Sequence, residues 1–321
     1  MPQISVIMST YNERSEELKI AIESILNQTF KNFEFIIILD NPKNNEIKEI
    51  LVNYQNIDSR IKLIFNERNI GLAQSLNKGI EMARAPLIAR MDADDISFPT
   101  RFEEQYEYMN NNKDCGVLGT HTILLYDNTE GDENKQASAI NKCMCIEKLF
   151  LCGNLLAHPT VMFRTDIVKA VGGYRDFKAA QDYDLWLRLI KKGVKFSVIE
   201  KPLLYYRIRE KSITQSNRAK QRAYDLYAKY LFKNEVEGTE LFGEVNRDEF
   251  FEKIHLKTQK EQDRFNKAIR ISEKSYKHRL NGQKAKGVFL KLYSFLLHKE
   301  VFVLFFNNQK QKFIMRIYRR K

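Results

Sequence analysis

Leu87-Ile88-Ala89-Arg90-Met91-Asp92-Ala93-Asp94-Asp95 decides the reading of this chain, because a mainly apolar run ends there in three carboxylates. Residues 87–91 predict a short buried strand. Three similar runs precede it, Ile4–Met8, Phe33–Leu39 and Ile61–Phe65. Between them lie stripes at helical spacing. The first is Leu18, Ala21, Ile22, Ile25 and Leu26, the second Ile47, Ile50, Leu51 and Tyr54, the third Leu72, Leu76, Ile80 and Ala83. Strand–helix alternation predicts a parallel sheet covered by helices on both faces. Ligands of such sheets bind beyond the carboxyl ends of the strands, where Asp92–Asp95 fall.

Past Asp95 the pattern loosens. It predicts a helix over Arg101–Met109, a strand over Gly116–Tyr126, a polar loop over Asp127–Ala139 and a helix over Lys142–Leu151. A strand is expected over Pro159–Phe163, then a helix over Asp166–Val171 closed by Gly172-Gly173. Asp182–Lys192 reads as a helix with Leu185, Trp186 and Leu189 on one side and Gly193 as its stop. Val194–Ile199 and Leu203–Ile208 read as two more strands. From about Ser212 the pattern is nearly all helical, so two domains are expected, residues 1–211 and 212–321.

Charge divides the same way. Residues 1–210 carry 27 Lys and Arg against 29 Asp and Glu, whereas residues 211–321 carry 26 against 12. Such asymmetry points to a polyanionic partner for the last third alone. A solvated Lys-rich helical surface is the plainer alternative. Nucleic acid is not the expected partner, because the first 210 residues are net negative and hold no nucleic-acid motif. No run of 18 apolar residues is present, so no transmembrane helix is expected. The opening Met-Pro-Gln leads straight into a strand and does not resemble a signal peptide. A cytoplasmic location follows, with Cys115, Cys143, Cys145 and Cys152 as reduced thiols that fit no zinc spacing.

Three close carboxylates repel unless a cation neutralises them. Oxygen ligands suit Mg2+ or Mn2+, which can bridge to diphosphate oxygens. Capping of a helix near Pro99 explains Asp92, Asp94 and Asp95 equally well. Asp40 ends the second strand and should point into the same crevice, although Asp40-Asn41-Pro42 is also good turn chemistry. Tyr11 and Asn12 end the first strand and could stack on and bond to a base. The turn Ser9-Thr10-Tyr11-Asn12-Glu13-Arg14 has no glycine, which excludes a dinucleotide turn and a P-loop. Asp182 opens the Trp186 helix, where an Asp ordinarily caps.

Together these residues resemble the family-2 glycosyltransferases over about Ile4 to Ile208. The matching pieces are Ser5–Asn12, Ser24–Phe30, Asn69-Ile70-Gly71-Leu72-Ala73 with Asn77 and Gly79, Asp92-Ala93-Asp94-Asp95, Gly172-Gly173-Tyr174 and Asp182–Arg188. The resemblance implies a glycosyltransferase A fold, a Rossmann-like mixed sheet with helices on both faces, followed by a mainly α-helical extension. It implies inverting transfer from a nucleotide sugar, with uracil the usual base, to a glycan or lipid-linked glycan hydroxyl. Bacterial surface polysaccharide synthesis is the expected setting. On this basis Thr10, Tyr11, Asn12 and Asp40 would bind the nucleotide, Asp92 its ribose or the metal, Asp94 the metal (Mn2+ or Mg2+), and Asp182 would be the general base. Two positions depart from the family pattern. Gln181 stands where Glu often precedes the base, and Arg209 where His often follows Tyr-Arg; Arg209 could instead neutralise diphosphate. A polyprenyl-phosphate sugar transferase and a non-catalytic sugar-nucleotide binder remain as alternatives.

Residues 283–321 hold ten Lys and Arg and one acidic residue, Glu300. Val288, Phe289, Leu292, Phe295, Leu296 and Leu297 precede Val301–Phe306, and Phe313–Lys321 closes the chain. Aromatic faces flanked by cations suit an interfacial helix on anionic lipid, hence a peripheral position on the inner face of the cytoplasmic membrane. A helix packed on the catalytic domain with Phe302–Phe306 as core is the other reading.

Overall fold

The computed structural model describes residues 1–126, 136–137, 149–208, 218–234 and 247–319. The chain divides into two compact units, residues 1–147 with 155–210, and residues 148–154 with 211–321.

The first unit is built on strands β1 (Ile4–Thr10), β2 (Phe33–Leu39), β3 (Ile61–Phe65) and β4 (Leu87–Asp92), all parallel to one another. Helices α1 (Ser15–Leu26), α2 (Asn45–Ile57) and α3 (Leu72–Met82) connect them. Helix α1 buries Leu18, Ala21, Ile22 and Ile25 of its stripe, α2 buries Ile47 and Leu51, and α3 buries Leu76 and Ile80 together with Ala73 beside them. Leu72 departs from its stripe and is 38% exposed, being the first residue of its helix. Each fully buried Ile or Leu contributes about 1.5–3 kcal/mol. Asn44 caps α2 through its side chain, which accepts from the Ile47 amide. Gly79 lets α3 lie close on β1, since a Cβ there would meet Ile7 Cγ2 at 2.6 Å.

The rest of the sheet makes it mixed, as the resemblance implies. After β5 (Ile96–Ser97), α4 (Arg101–Asn111), β6 (Cys115–Tyr126) and β7 (Gln136–Ala137), a 3-10 turn over His158–Thr160 precedes β8 (Met162–Arg164). Then come α5 (Thr165–Ala170), α6 (Gln181–Lys191) and β9 (Lys195–Ile208). The strand order is β3-β2-β1-β4-β8-β6-β9-β5, with β7 on β6. β8 runs antiparallel to both β4 and β6, so the sheet is mixed. The strand expected over Pro159–Phe163 therefore starts only at Met162. The two strands expected after Val194 are one. Ile199 pairs with Thr120 and Pro202 with His121, so Glu200 and Lys201 form a bulge within it, where a proline without an N–H is tolerated. Part of the segment expected as a loop is β7; the rest of it, and all but the end of the Lys142–Leu151 helix, lie outside the described residues.

In the second unit, α7 (Arg218–Asn234), α8 (Arg247–Lys253), α9 (Gln259–Leu280), α10 (Lys284–Leu297) and α11 (Lys299–Arg319) share a core of Ala219, Ala223, Leu256, Phe265, Ala268 and Val301. Phe302 and Phe306 do not supply the core; they are 45% and 54% exposed. The buried Arg222–Glu300 pair, 3.1 Å apart, ties α7 to α11. No described helix is long and apolar enough to cross a membrane.

Lys229 donates to the Cys152 carbonyl at 3.2 Å, and burial, then the charge of Arg222, holds its ammonium down to about 8 against an ordinary 10.5. The unfolded chain keeps this proton to higher pH, so stability rises as pH climbs through that interval. Relative to Lys229→Met, the wild type is expected to gain up to about 3 kcal/mol between pH 8 and 10.5. Urea unfolding of both proteins across that range is the check; a constant difference would refute the assignment.

Candidate active site

The parallel register brings the strand ends together. Thr10 pairs with Leu39 and Ser9 with Asp92, so Tyr11, Asp40 and Asp92–Asp95 emerge along one sheet edge. The Thr10 hydroxyl and the Tyr11 amide both donate to the Glu13 carboxylate, which shapes the first turn without glycine. The Asn12 side chain accepts from Asn41 at 2.6 Å. Tyr11 is 43% exposed, free enough at its face to stack on a ring.

Asp40 is not a simple turn residue. Its buried carboxylate accepts from Asn66 Nδ2 at 2.8 Å and from the Ile70 and Gly71 amides at 2.9 and 2.8 Å. Three of about four lone-pair sites are thereby engaged in holding the loop before α3.

Asp92, Asp94 and Asp95 each offer an oxygen within 4.8 Å of the others. Helix α4 starts only at Arg101, after Thr100, so none of the three caps it. Asp95 is buried; its Oδ1 accepts from the Arg207 amide at 2.8 Å, while Oδ2 has no hydrogen-bond partner. Burial first, then the charges of Asp92 and Asp94, push the Asp95 carboxyl well above the usual range. An orphaned buried oxygen beside two further carboxylates fits a hard divalent cation. Asp92 is also paired with the buried Arg90, whose Nε and Nη1 have no hydrogen-bond partner. Arg207 Nε donates to the Asp94 carbonyl at 2.8 Å, which fixes the backbone of the cluster to β9.

Asp182 is the second residue of α6, after Gln181, and is not its N-cap; that position is Ala180, held left-handed at φ 54°. Asp184, in the same turn, is buried and accepts from Arg188 at 2.9 Å and Arg175 at 3.4 Å. Arg188 also donates to the Val171 and Gly173 carbonyls at 2.7 and 2.6 Å. Asn77 bonds both the Tyr174 amide and its carbonyl at 2.8 Å. Gly173 has φ +67°, and a Cβ there would lie 2.4 Å from Asn77 Oδ1, so only glycine fits.

This bracing delivers Tyr174. Its hydroxyl lies 2.8 Å from His158 Nε2, with the ring buried. Burial pushes the hydroxyl pKa up; Arg90 opposes the rise, Asp182 adds to it, and Asp92 adds a smaller part. Asp182 and Asp92 are thus both within electrostatic reach of one tyrosine. His158 is held neutral by burial and by the charge of Arg90. Tyr206 is raised by burial and then by Asp92 and Asp95.

Asp92, Asp94 and Asp95 therefore form one cluster at the sheet edge shared by Thr10, Tyr11, Asn12 and Asp40, and the charges of Asp92 and Asp182 both act on Tyr174. Arg209 lies outside the described residues. Sequence reasoning assigned nothing to Arg90 or His158. Arg90 had a signal, a lone cation within an apolar run just before three carboxylates; His158 had none.

The model of the family described as Glycosyl transferase family 2 matches residues 5–170. An uncharacterized glycosyltransferase of Methanocaldococcus jannaschii, MJ1057, is 42% identical over 227 residues, covering 70% of this chain and 78% of its own. The O-antigen biosynthesis glycosyltransferase WbnJ of Escherichia coli is 37% identical, covering 67% and 84%. Among solved structures, S. aureus TarS in complex with UDP aligns with TM-score 0.56 at 17% identity, over 90% of this chain and 89% of that one. The mannosyltransferase PcManGT of Pyrobaculum calidifontis, in complex with GDP-Man and Mn2+, aligns with TM-score 0.58 at 13% identity, over 97% and 87%. The chain belongs to glycosyl transferase family 2 and is a glycosyltransferase of the glycosyltransferase A fold.

Proposed function

We propose that this enzyme transfers a sugar with inversion from a nucleotide sugar, a UDP-sugar in the first instance, to a hydroxyl of a glycan or lipid-linked glycan in surface polysaccharide synthesis. The observation that supports this reading is the cluster of Asp92, Asp94 and Asp95 at the end of β4, with oxygens within 4.8 Å of one another and the buried Asp95 Oδ2 without a hydrogen-bond partner. WbnJ, named for O-antigen biosynthesis, supports the pathway class, and the UDP held by TarS supports the donor class.

An acceptor hydroxyl is a poor nucleophile at neutral pH. Asp182 takes its proton as the new bond to the anomeric carbon forms. The nucleoside diphosphate departs from the opposite side, so the anomeric centre inverts. Asp94, with Asp92, would hold a divalent cation, Mn2+ or Mg2+, which supplies positive charge where the leaving diphosphate gains negative charge. Tyr11 stacks on the base, and Asp40 offers its remaining lone pair to a base N–H while Thr10 and Asn12 line the nucleotide side. Arg209 balances diphosphate charge. The basic helical region meets an anionic membrane surface, where a lipid-linked acceptor would reside.

Thermal unfolding with a panel of UDP-, GDP- and dTDP-sugars, each with and without Mn2+ or Mg2+, tests the reading. A cognate donor at a hundred times its Kd stabilises the folded state by about 2.7 kcal/mol. We expect one UDP-sugar to do so only with the cation. Stabilisation by a GDP-sugar alone would replace the donor assignment, and none by any nucleotide sugar would end it.

A further inference from the structure

Helix α10 leaves one face uncovered. Val288, Phe289, Leu292, Tyr293 and Leu296 are 41–80% exposed. At 3.6 residues per turn they span an arc of about 140°. Gly287 and Ser294, on the opposite side, are buried, and Ser275 Oγ of α9 donates to the Gly287 carbonyl at 2.7 Å. Phe302, Val303, Phe306 and Phe313 make a similar exposed stripe on α11. Contiguous apolar surface of this kind marks an interaction site.

Charge identifies the occupant. Exposed Lys284 and Lys286 border the α10 stripe, and exposed Lys299 follows it. The acidic residue within α10 and α11, Glu300, is buried and paired with Arg222. Leu296 continues the stripe into a cavity of about 270 Å3 lined also by Arg264, Lys299, His255, His298 and Glu261. Two permanent cations thus stand beside an apolar edge, the arrangement that receives a phosphate-bearing headgroup while acyl chains meet the aromatic and aliphatic side chains. A second copy of the chain is disfavoured, since residues 211–321 carry 26 cationic against 12 acidic residues and like faces would repel.

We propose that the exposed faces of α10 and α11, with the Arg264–Lys299 cavity at Leu296, dock the enzyme on an anionic phospholipid bilayer. This assigns residues to the membrane surface in the proposed function, but it rests on the second unit's own chemistry and not on sugar transfer.

Flotation of the full chain with vesicles of phosphatidylglycerol and phosphatidylcholine, and of phosphatidylcholine alone, is the test. We expect binding to the anionic vesicles only, weakening as salt is raised. Phe289→Ser/Leu292→Ser/Leu296→Ser should lower the bound-to-free ratio at least about tenfold, and Lys284→Glu/Lys286→Glu/Lys299→Glu by a similar factor. Circular dichroism and melting temperature should stay at wild-type values, because these side chains are solvent-exposed. Transfer to a soluble acceptor should stay within about twofold of wild type, which separates this inference from the sugar-transfer reading. Equal flotation of wild type and the Ser variant overturns the proposal. So does failure of the wild type to float, or a wild-type dimer on size-exclusion chromatography that only the Ser variant dissolves.

Discussion

Asp182→Asn is expected to lower kcat by about 10³-fold, within the range of general-base catalysis, while donor affinity stays within about twofold. The substitution is nearly isosteric and sits in the first turn of α6, where Asp184 and Arg188 hold the helix to the Gly172–Tyr174 loop. The neutral amide keeps the shape and cannot take a proton. Titration calorimetry with the donor and turnover with a confirmed acceptor separate the two effects. Near-normal turnover would remove Asp182 from the role. Equal losses in donor affinity and turnover would mean that it binds the donor instead.

Asp94→Asn is expected to abolish cation-dependent stabilisation by the donor and to lower kcat/KM by about 10²–10³-fold, because charge on the departing diphosphate loses its compensation. Its effect on the metal-free protein has the opposite sign. Asp95 is already pushed up by burial and by the charges of Asp92 and Asp94. Removing one charge from carboxylates within 4.8 Å of each other relieves about 1 kcal/mol of repulsion. The variant should therefore melt at or above the wild-type temperature without divalent ions and below it with donor and Mn2+. A variant that melts below wild type under both conditions would show a structural role for Asp94 in place of metal binding.

Tertiary context decided which of two local readings held at several positions. Asp92–Asp95 could have capped a helix, but α4 begins at Arg101. Asp40 could have closed a turn, but its carboxylate reaches the amides of residues 70 and 71. Val194–Ile199 and Leu203–Ile208 read as two strands, yet pairing with β6 runs on either side of a bulge. Each alternative is locally sound, and only partners distant in sequence discriminate between them.

By itself the sequence determined the strand–helix alternation, the apolar stripes, the position of the carboxylates at a strand end and the charge step near residue 211, because periodicity, propensity and charge are properties of neighbouring residues. Only the folded chain decided that β8 enters antiparallel between β4 and β6, that Arg90 pairs with Asp92, and that Tyr174 reaches His158 within range of Asp182. Those arrangements depend on sheet register and on burial, which raise the cost of an unpaired charge or an unmade hydrogen bond and so select partners that no local window contains.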